Sequence, residues 1–239
     1  MKYDHIVPAR FLSRPNRFIA LVQIAGDQAV CHVKNTGRCR ELLVPDAAVW
    51  LQDFGEDHPG RKTRYDLIAV EKARPGQPPL LINLDSQAPN KVFAEWAYGG
   101  GLGRDLTVLR AETTYRSSRF DFYYETASGK KGFVEVKGVT LEENGIASFP
   151  DAPTLRGVKH LDELAAAASK GYSAHVCFVL QMKGMEILCP NDRTHPAFGD
   201  ALRHAVSARV EVFALECTVS PDSLEATGKV PVSLNCILP

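Results

Sequence analysis

Two short runs, Arg119-Phe-Asp-Phe122 and Phe133-Val-Glu-Val-Lys137, constrain the fold of this chain more than any other feature. Charged residues alternate with large apolar ones in both, which is the period of a strand. The intervening Thr126-Ala-Ser-Gly-Lys130 reads as a tight hairpin. A three-residue loop of Ala127, Ser128 and Gly129 puts glycine where the backbone needs a positive φ. Centred on Ser128, the hairpin sets Asp121 opposite Glu135, with Lys137 two residues along on the same face. Like charges directly opposite on a sheet repel. A divalent cation held between the carboxylates reverses the sign of that interaction, so the pattern is a candidate Mg²⁺ site for phosphodiester chemistry. Acids on amphipathic strands usually just face water. Here the same face also carries Tyr123 and Phe133, which a purely solvated face would not.

The chain has 239 residues, enough for one large domain or two small ones. Its start, Met-Lys-Tyr-Asp-His, lacks the charged-then-apolar order of a secretory signal. No apolar run approaches the roughly 18 residues of a membrane span. The six cysteines are scattered without a C-x-x-C pair, mostly inside apolar runs, and read as reduced core residues of a cytoplasmic protein. Cys31-His32 with Cys39 lacks a fourth ligand and the spacing of a zinc site. Net charge is zero, which argues against a chain coated in basic surface. Up to Leu80 there are 12 Lys/Arg against 9 Asp/Glu, a weak electrostatic footprint for nucleic acid.

The first third is rich in strand signals. Phe18–Ile24, Ala29–Val33, Ala48–Leu51, Tyr65–Lys72 and Leu80–Leu84 alternate with turns, and Cys39–Leu43 suits a helical turn. Five short strands with one small helix suit a small closed barrel of the OB type. The expected division is residues 1–84 as this barrel and 85–239 as a second domain.

The second part reads as a helix from Asn90 to about Tyr98, a strand over Leu106–Tyr115, the two charged strands, and a helix from Asp151 or Thr154 to Lys170. Strands at Ala174–Gln181 and Met185–Leu188, a helix over Ala197–Ala208 and a strand over Arg209–Val219 follow. Helix, three strands, helix, strand, with the acids on the second and third strands, is the layout of the PD-(D/E)XK nuclease core. In the middle helix Leu155, Val158, Leu161, Leu164 and Ala168 form an apolar stripe, opposed by a polar ridge of Arg156, His160 and Glu163. Gly157 inside that helix costs about 1 kcal/mol against alanine. It implies close approach of the sheet or of a ligand backbone.

Several runs resemble the sugar fermentation stimulation protein A family. They are Pro15-Asn-Arg-Phe18, Asn35-Thr-Gly-Arg38, Arg61-Lys-Thr63, Pro89-Asn90, Ser118-Arg-Phe-Asp-Phe122, Val134-Glu-Val-Lys137, Phe149-Pro-Asp-Ala152 and Arg156-Gly-Val-Lys-His-Leu161. The resemblance implies a DNA-binding protein with an N-terminal OB-like barrel and a restriction-endonuclease-like mixed sheet flanked by helices, an α/β (α+β) chain overall. It places the nuclease-like motif on Asp121, Glu135 and Lys137, and the family's second signature on Asp151, Arg156 and His160.

The expected chemistry follows from these types. Asp121, Glu135 and the Val136 carbonyl are the candidate ligands of Mg²⁺ or Mn²⁺. Lys137 is placed to position or deprotonate water or to neutralise transition-state charge, and Arg156 and His160 to hold phosphate. On the barrel, Arg17, Lys34, Arg38, Arg40, Arg61 and Lys62 fall in or beside loops where they can follow a phosphate backbone, with Phe18 and Tyr65 as stacking faces. Such binding is salt-dependent and largely sequence-independent, to DNA rather than RNA. Three readings stay open: a metal-dependent nuclease, a catalytically silent DNA-binding regulator that keeps the domain as a scaffold, and an enzyme on another phosphorylated substrate or RNA.

Overall fold

A computed structural model describes residues 1–35, 37–57 and 59–236. Thr36 of the Asn35–Arg38 run lies outside the described residues. The chain first forms β1 (Ile6–Asn16), β2 (Ile19–Ile24), β3 (Asp27–Val33), β4 (Ala48–Asp53), β5 (Tyr65–Arg74) and β6 (Gln77–Asn83). These make one sheet in the order β3-β2-β1-β4-β5-β6, and a parallel pairing of β3 with β5 closes it into a barrel. The pairing closes β1–β5 on themselves in the OB topology and leaves β6 as an edge strand.

The barrel has one strand more than the sequence patterns indicate. β1 carries Pro8 and Pro15, residues that argue against a central strand, yet it pairs with both β2 and β4. Its buried Ala9 and Phe11 hold it in the barrel core.

Four residues beyond β6 the chain enters α1 (Ala88–Trp96), with a proline in its first turn, and a π-turn at Ala97–Gly101 ends it where Gly100 takes φ 99°. There follow β7 (Leu106–Tyr115), β8 (Ser118–Thr126), β9 (Lys131–Val139), β10 (Leu141–Glu143), β11 (Ile146–Phe149), α2 (Leu155–Ala168), β12 (Ser173–Leu180), β13 (Ile187–Pro190), α3 (Pro196–Ser207), β14 (Glu211–Ser220) and β15 (Ser223–Val230). The second large sheet has the order β15-β14-β12-β9-β8-β7, with β12 parallel to both β9 and β14. A three-stranded sheet, β10-β11-β13, lies beside it.

α1 covers one face of the second sheet, where Phe93 packs with Phe122, Val134 and Val136. α2 and α3 cover the other, and their Leu161, Leu164, Phe198 and Leu202 share one apolar core with the barrel residues Phe11, Val22 and Leu51. Thr154 caps α2 through its hydroxyl, which accepts the Gly157 N–H at 3.0 Å. The expected stripe on α2 is shorter by one residue, because Leu155 in the first turn is 80% exposed.

The cysteines correct a further expectation. Cys189 and Cys236 are joined in a disulfide, so not all six are reduced. The other four are buried, and burial pushes the Cys31, Cys39 and Cys217 thiols up to about 12. Among the described residues no helix is long and apolar enough to cross a membrane.

Candidate active site

Asp121 sits where β8 and β9 part. Their paired residues run from Glu125 opposite Lys131 to Phe122 opposite Val134, the register of a loop centred on Ser128. At the next residue the Asp121 carboxylate takes over from the backbone. Its Oδ2 accepts the Val136 N–H at 2.8 Å, and its Oδ1 accepts from Asn90 Nδ2 on α1 at 3.1 Å. The alternation of β8 breaks at the same point. Phe120 packs against Phe133 and His160 on the α2 side, whereas Phe122 packs against Phe93 of α1. Residues i and i+2 of a regular strand share a face, so the strand turns at Asp121.

Glu135 is 2% exposed, and its Oε1 receives both the Lys137 ammonium and His160 Nδ1, the latter at 2.5 Å. One turn earlier on α2, Arg156 donates from Nε to His160 Nε2 at 3.4 Å. That bond makes Nε2 the acceptor and Nδ1 the nitrogen whose proton points at Glu135. The second carboxylate oxygen, Glu135 Oε2, is buried and has no hydrogen-bond partner.

The two acids are driven in opposite directions. Burial and the Glu135 charge push Asp121 above the usual carboxylate range, against the Val136 N–H, Lys137 and Asn90. Burial also pushes Glu135 up, but the His160 hydrogen bond and the Lys137 charge outweigh it and hold Glu135 below that range. Paired acids whose pKa values are driven apart are a recurring feature of functional sites.

These donors fit a hard divalent cation. A buried carboxylate oxygen without a partner costs about 1–3 kcal/mol or more, and a cation shared with Asp121 would satisfy it. Among the described residues no three His, Cys, Asp or Glu side chains converge as a metal-holding group. A cation here would take at most two side-chain ligands, with backbone carbonyls and water making up the rest, as Mg²⁺ commonly has.

Asp121, Glu135, Lys137, Arg156 and His160 thus come together from three elements. Asp151 lines a hollow of about 110 Å³ together with Gly138, the residue after Lys137, and with Ser86 and Gln181. It is exposed and faces the barrel, where a β-carbon on Gly37 would collide with its Oδ2. Gly157 answers to its own neighbours, not to the sheet or a ligand: a β-carbon there would lie 2.9 Å from Thr154 Cγ2 and 3.2 Å from Phe198 Cε2. Asn90 carries no role in the sequence reading, because its contact with Asp121 spans 31 positions; its one signal there is the Pro89-Asn90 run.

The barrel cations divide into two groups. Lys34 donates to the buried Asp85 at 2.9 Å and lies 3.7 Å from the buried Asp66. Arg61 also binds Asp66, and its guanidinium covers the Phe54 ring at 3.6 Å. Arg17, Arg38 and Arg40, by contrast, line a hollow of about 430 Å³ beside Asn16. Across Asn16, a second hollow of about 550 Å³ is walled by Phe18, His32, Arg61 and Lys62. Phe18 is 45% exposed and Arg17 stacks over its ring at 4.7 Å, so it is a surface residue and not core.

Residues 12–77 match the model of the SfsA N-terminal OB domain, and residues 87–223 that of the sugar fermentation stimulation protein RE domain. The chain belongs to the sugar fermentation stimulation protein family. A family member from Desulfitobacterium hafniense strain Y51 is 56% identical over 234 residues, covering 98% of this chain and 99% of its own. One from Clostridium beijerinckii is 51% identical over 98% of this chain and 100% of its own. Among solved structures, Pyrococcus furiosus SfsA in complex with Ca²⁺ superposes with a TM-score of 0.84 at 27% identity, covering 98% of both chains.

Proposed function

We propose that this family member is a DNA-binding protein, active on DNA rather than RNA in the cytoplasm, that hydrolyses phosphodiesters with Mg²⁺ or Mn²⁺. In this reading residues 1–84 bind the nucleic acid and residues 85–239 carry the reaction. The observation that carries it is the meeting of Asp121 and Glu135 beside Lys137, with a buried Glu135 oxygen left unpartnered. The Pyrococcus furiosus relative, solved with Ca²⁺, supports a divalent cation in the family.

Asp121, Glu135 and the Val136 carbonyl would hold the cation, which supplies Lewis acidity toward the phosphodiester when bound. The chain's own residues do the rest. His160 Nδ1–H fixes Glu135 Oε1, which leaves Oε2 free to face the cation. The Lys137 ammonium, anchored on the same Oε1, would neutralise charge growing on the phosphoryl oxygens. Arg156 holds the His160 tautomer through Nε and keeps its terminal nitrogens for a phosphate. On the barrel, Arg17, Arg38 and Lys62 track the backbone while Phe18 offers a ring to a base. Lys34 and Arg61 steady the wall behind them.

Calorimetric titration of Mn²⁺ into the wild type and Glu135→Ala tests the metal assignment. One site in the wild type and none in the variant is expected; equal binding in both would remove Glu135 from it. The two-carboxylate side-chain set favours a second reading, in which the domain is a silent scaffold of a DNA-binding regulator. Metal binding without cleavage of any nucleic acid would select it.

A further inference from the structure

On the α1 face of the second sheet, away from the carboxylates, a hollow of about 270 Å³ lies at the other end of β9 and β12. Lys130, Arg209 and Lys229 line it together with His175, Trp96 and Phe213. None of the three cations has a carboxylate within ion-pair distance among the described residues, unlike Lys131 next door, which pairs with Glu125. The one acid in the wall, Glu211, leaves the hollow with two positive charges in excess. Like charges gathered without a counter-ion repel one another, and an anion reverses that term.

His175 stands in the wall between Tyr124 and Glu211. Its Nε2 is 2.8 Å from the Tyr124 hydroxyl, while Nδ1 is buried and makes no hydrogen bond. Nδ1 does lie 3.1 Å from Glu211 Oε2, but outside hydrogen-bonding geometry. Burial, Lys130 and Lys229 all oppose a charge on this ring, and together they outweigh the pull of Glu211. With Tyr124 donating to Nε2, a neutral ring carries its proton on Nδ1, on the side of Glu211 Oε2. The Lys229 ammonium sits over the Phe213 ring at 4.7 Å and the Trp96 ring at 5.6 Å, which fixes it at the mouth.

We propose that this hollow binds a phosphate monoester, with Lys130, Arg209 and Lys229 taking its oxygens. Two oxyanion charges match the excess of two cations. The phosphate can come from a free mononucleotide or from the 5′ end of a nucleic-acid chain. The site is independent of the carboxylate pair and does not need that pair to be catalytic.

The test is calorimetric titration of inorganic phosphate, AMP and paired oligonucleotides with a 5′-phosphate or 5′-hydroxyl, all at constant ionic strength. Inorganic phosphate should bind saturably at one site. Arg209→Gln and Lys229→Met should each weaken it about tenfold or more, while Glu135→Ala leaves it unchanged. Arg209 and Lys229 are exposed, and matching thermal melts establish that the variants fold. AMP binding tighter than phosphate identifies a free nucleotide as the ligand. A 5′-phosphate advantage that vanishes in Lys229→Met identifies the chain end. No saturable phosphate binding, or binding equal in wild type and both variants, overturns the proposal.

Discussion

Glu135 on β9 and His160 on α2 meet at 2.5 Å, and the contact ties the strand that carries the acid–lysine pair to the helix behind it. The same Glu135 oxygen holds Lys137, so a single carboxylate oxygen orders a base, a cation and, through His160, Arg156. The opposite oxygen is left without any partner. The arrangement orients the carboxylate as much as it stabilises it.

His160→Ala should cost about 1.5–3 kcal/mol at pH 7, the range for a hydrogen bond to a charged group. Because Glu135 is held below its unfolded pKa, this contribution is present above that pKa and is lost as pH falls through the folded value. Denaturant melts should therefore show a gap between wild type and variant that shrinks below about pH 4. A gap constant from pH 3 to 7 would contradict the pairing.

Asp121 has the opposite sign. Its folded pKa is raised by burial and by Glu135, so its ionisation costs stability as pH rises above about 4. Asp121→Asn should raise stability at pH 7 by about 1 kcal/mol, with no gain at pH 3. The variant should also lose the stabilisation that a divalent cation gives the wild type, about 2.7 kcal/mol at a hundredfold excess over Kd. Thermal melts with EDTA and with Mn²⁺ read both effects.

Among the barrel cations the structure separates two kinds of consequence. Lys34→Met leaves Asp85 without its ammonium and should destabilise the fold by about 3 kcal/mol. Arg17→Ala, Arg38→Ala and Lys62→Ala should leave the melt unchanged. Each should weaken DNA binding and lower the salt slope by up to about 0.9. Fluorescence anisotropy across a salt series distinguishes them. Equal melts for all four variants would contradict the division.

The hairpin was legible as far as Phe122 because its register depends on one loop residue, Ser128, whereas strand period fails at Asp121, where Phe120 and Phe122 take opposite sides. α2 was legible from its periodicity and from Thr154, and the barrel from its turns. β1 was not, since Pro8 and Pro15 mimic a break and only pairing on both sides overrules them. The buried contacts of Gln181 with Asn83 and Asp85 join the barrel end to β12 across 98 and 96 positions. No local pattern announces contacts of that range. The same holds for the contact of Asn90 with Asp121.

Gly157→Ala tests the local reading of α2. Helix propensity favours alanine by about 1 kcal/mol, but the added β-carbon crowds the Thr154 cap and Phe198. A net loss of about 1 kcal/mol in a urea melt is expected, with metal affinity unchanged. A gain in stability would show that the cap and α3 yield easily.

The most direct test of the account is cleavage of single- and double-stranded DNA and RNA in Mg²⁺ or Mn²⁺ by the wild type beside Glu135→Ala. The account predicts metal-dependent cleavage of DNA by the wild type, lost in the variant, with salt-sensitive binding retained by both. Cleavage that survives in Glu135→Ala, or binding by both proteins with no cleavage by either, would contradict it.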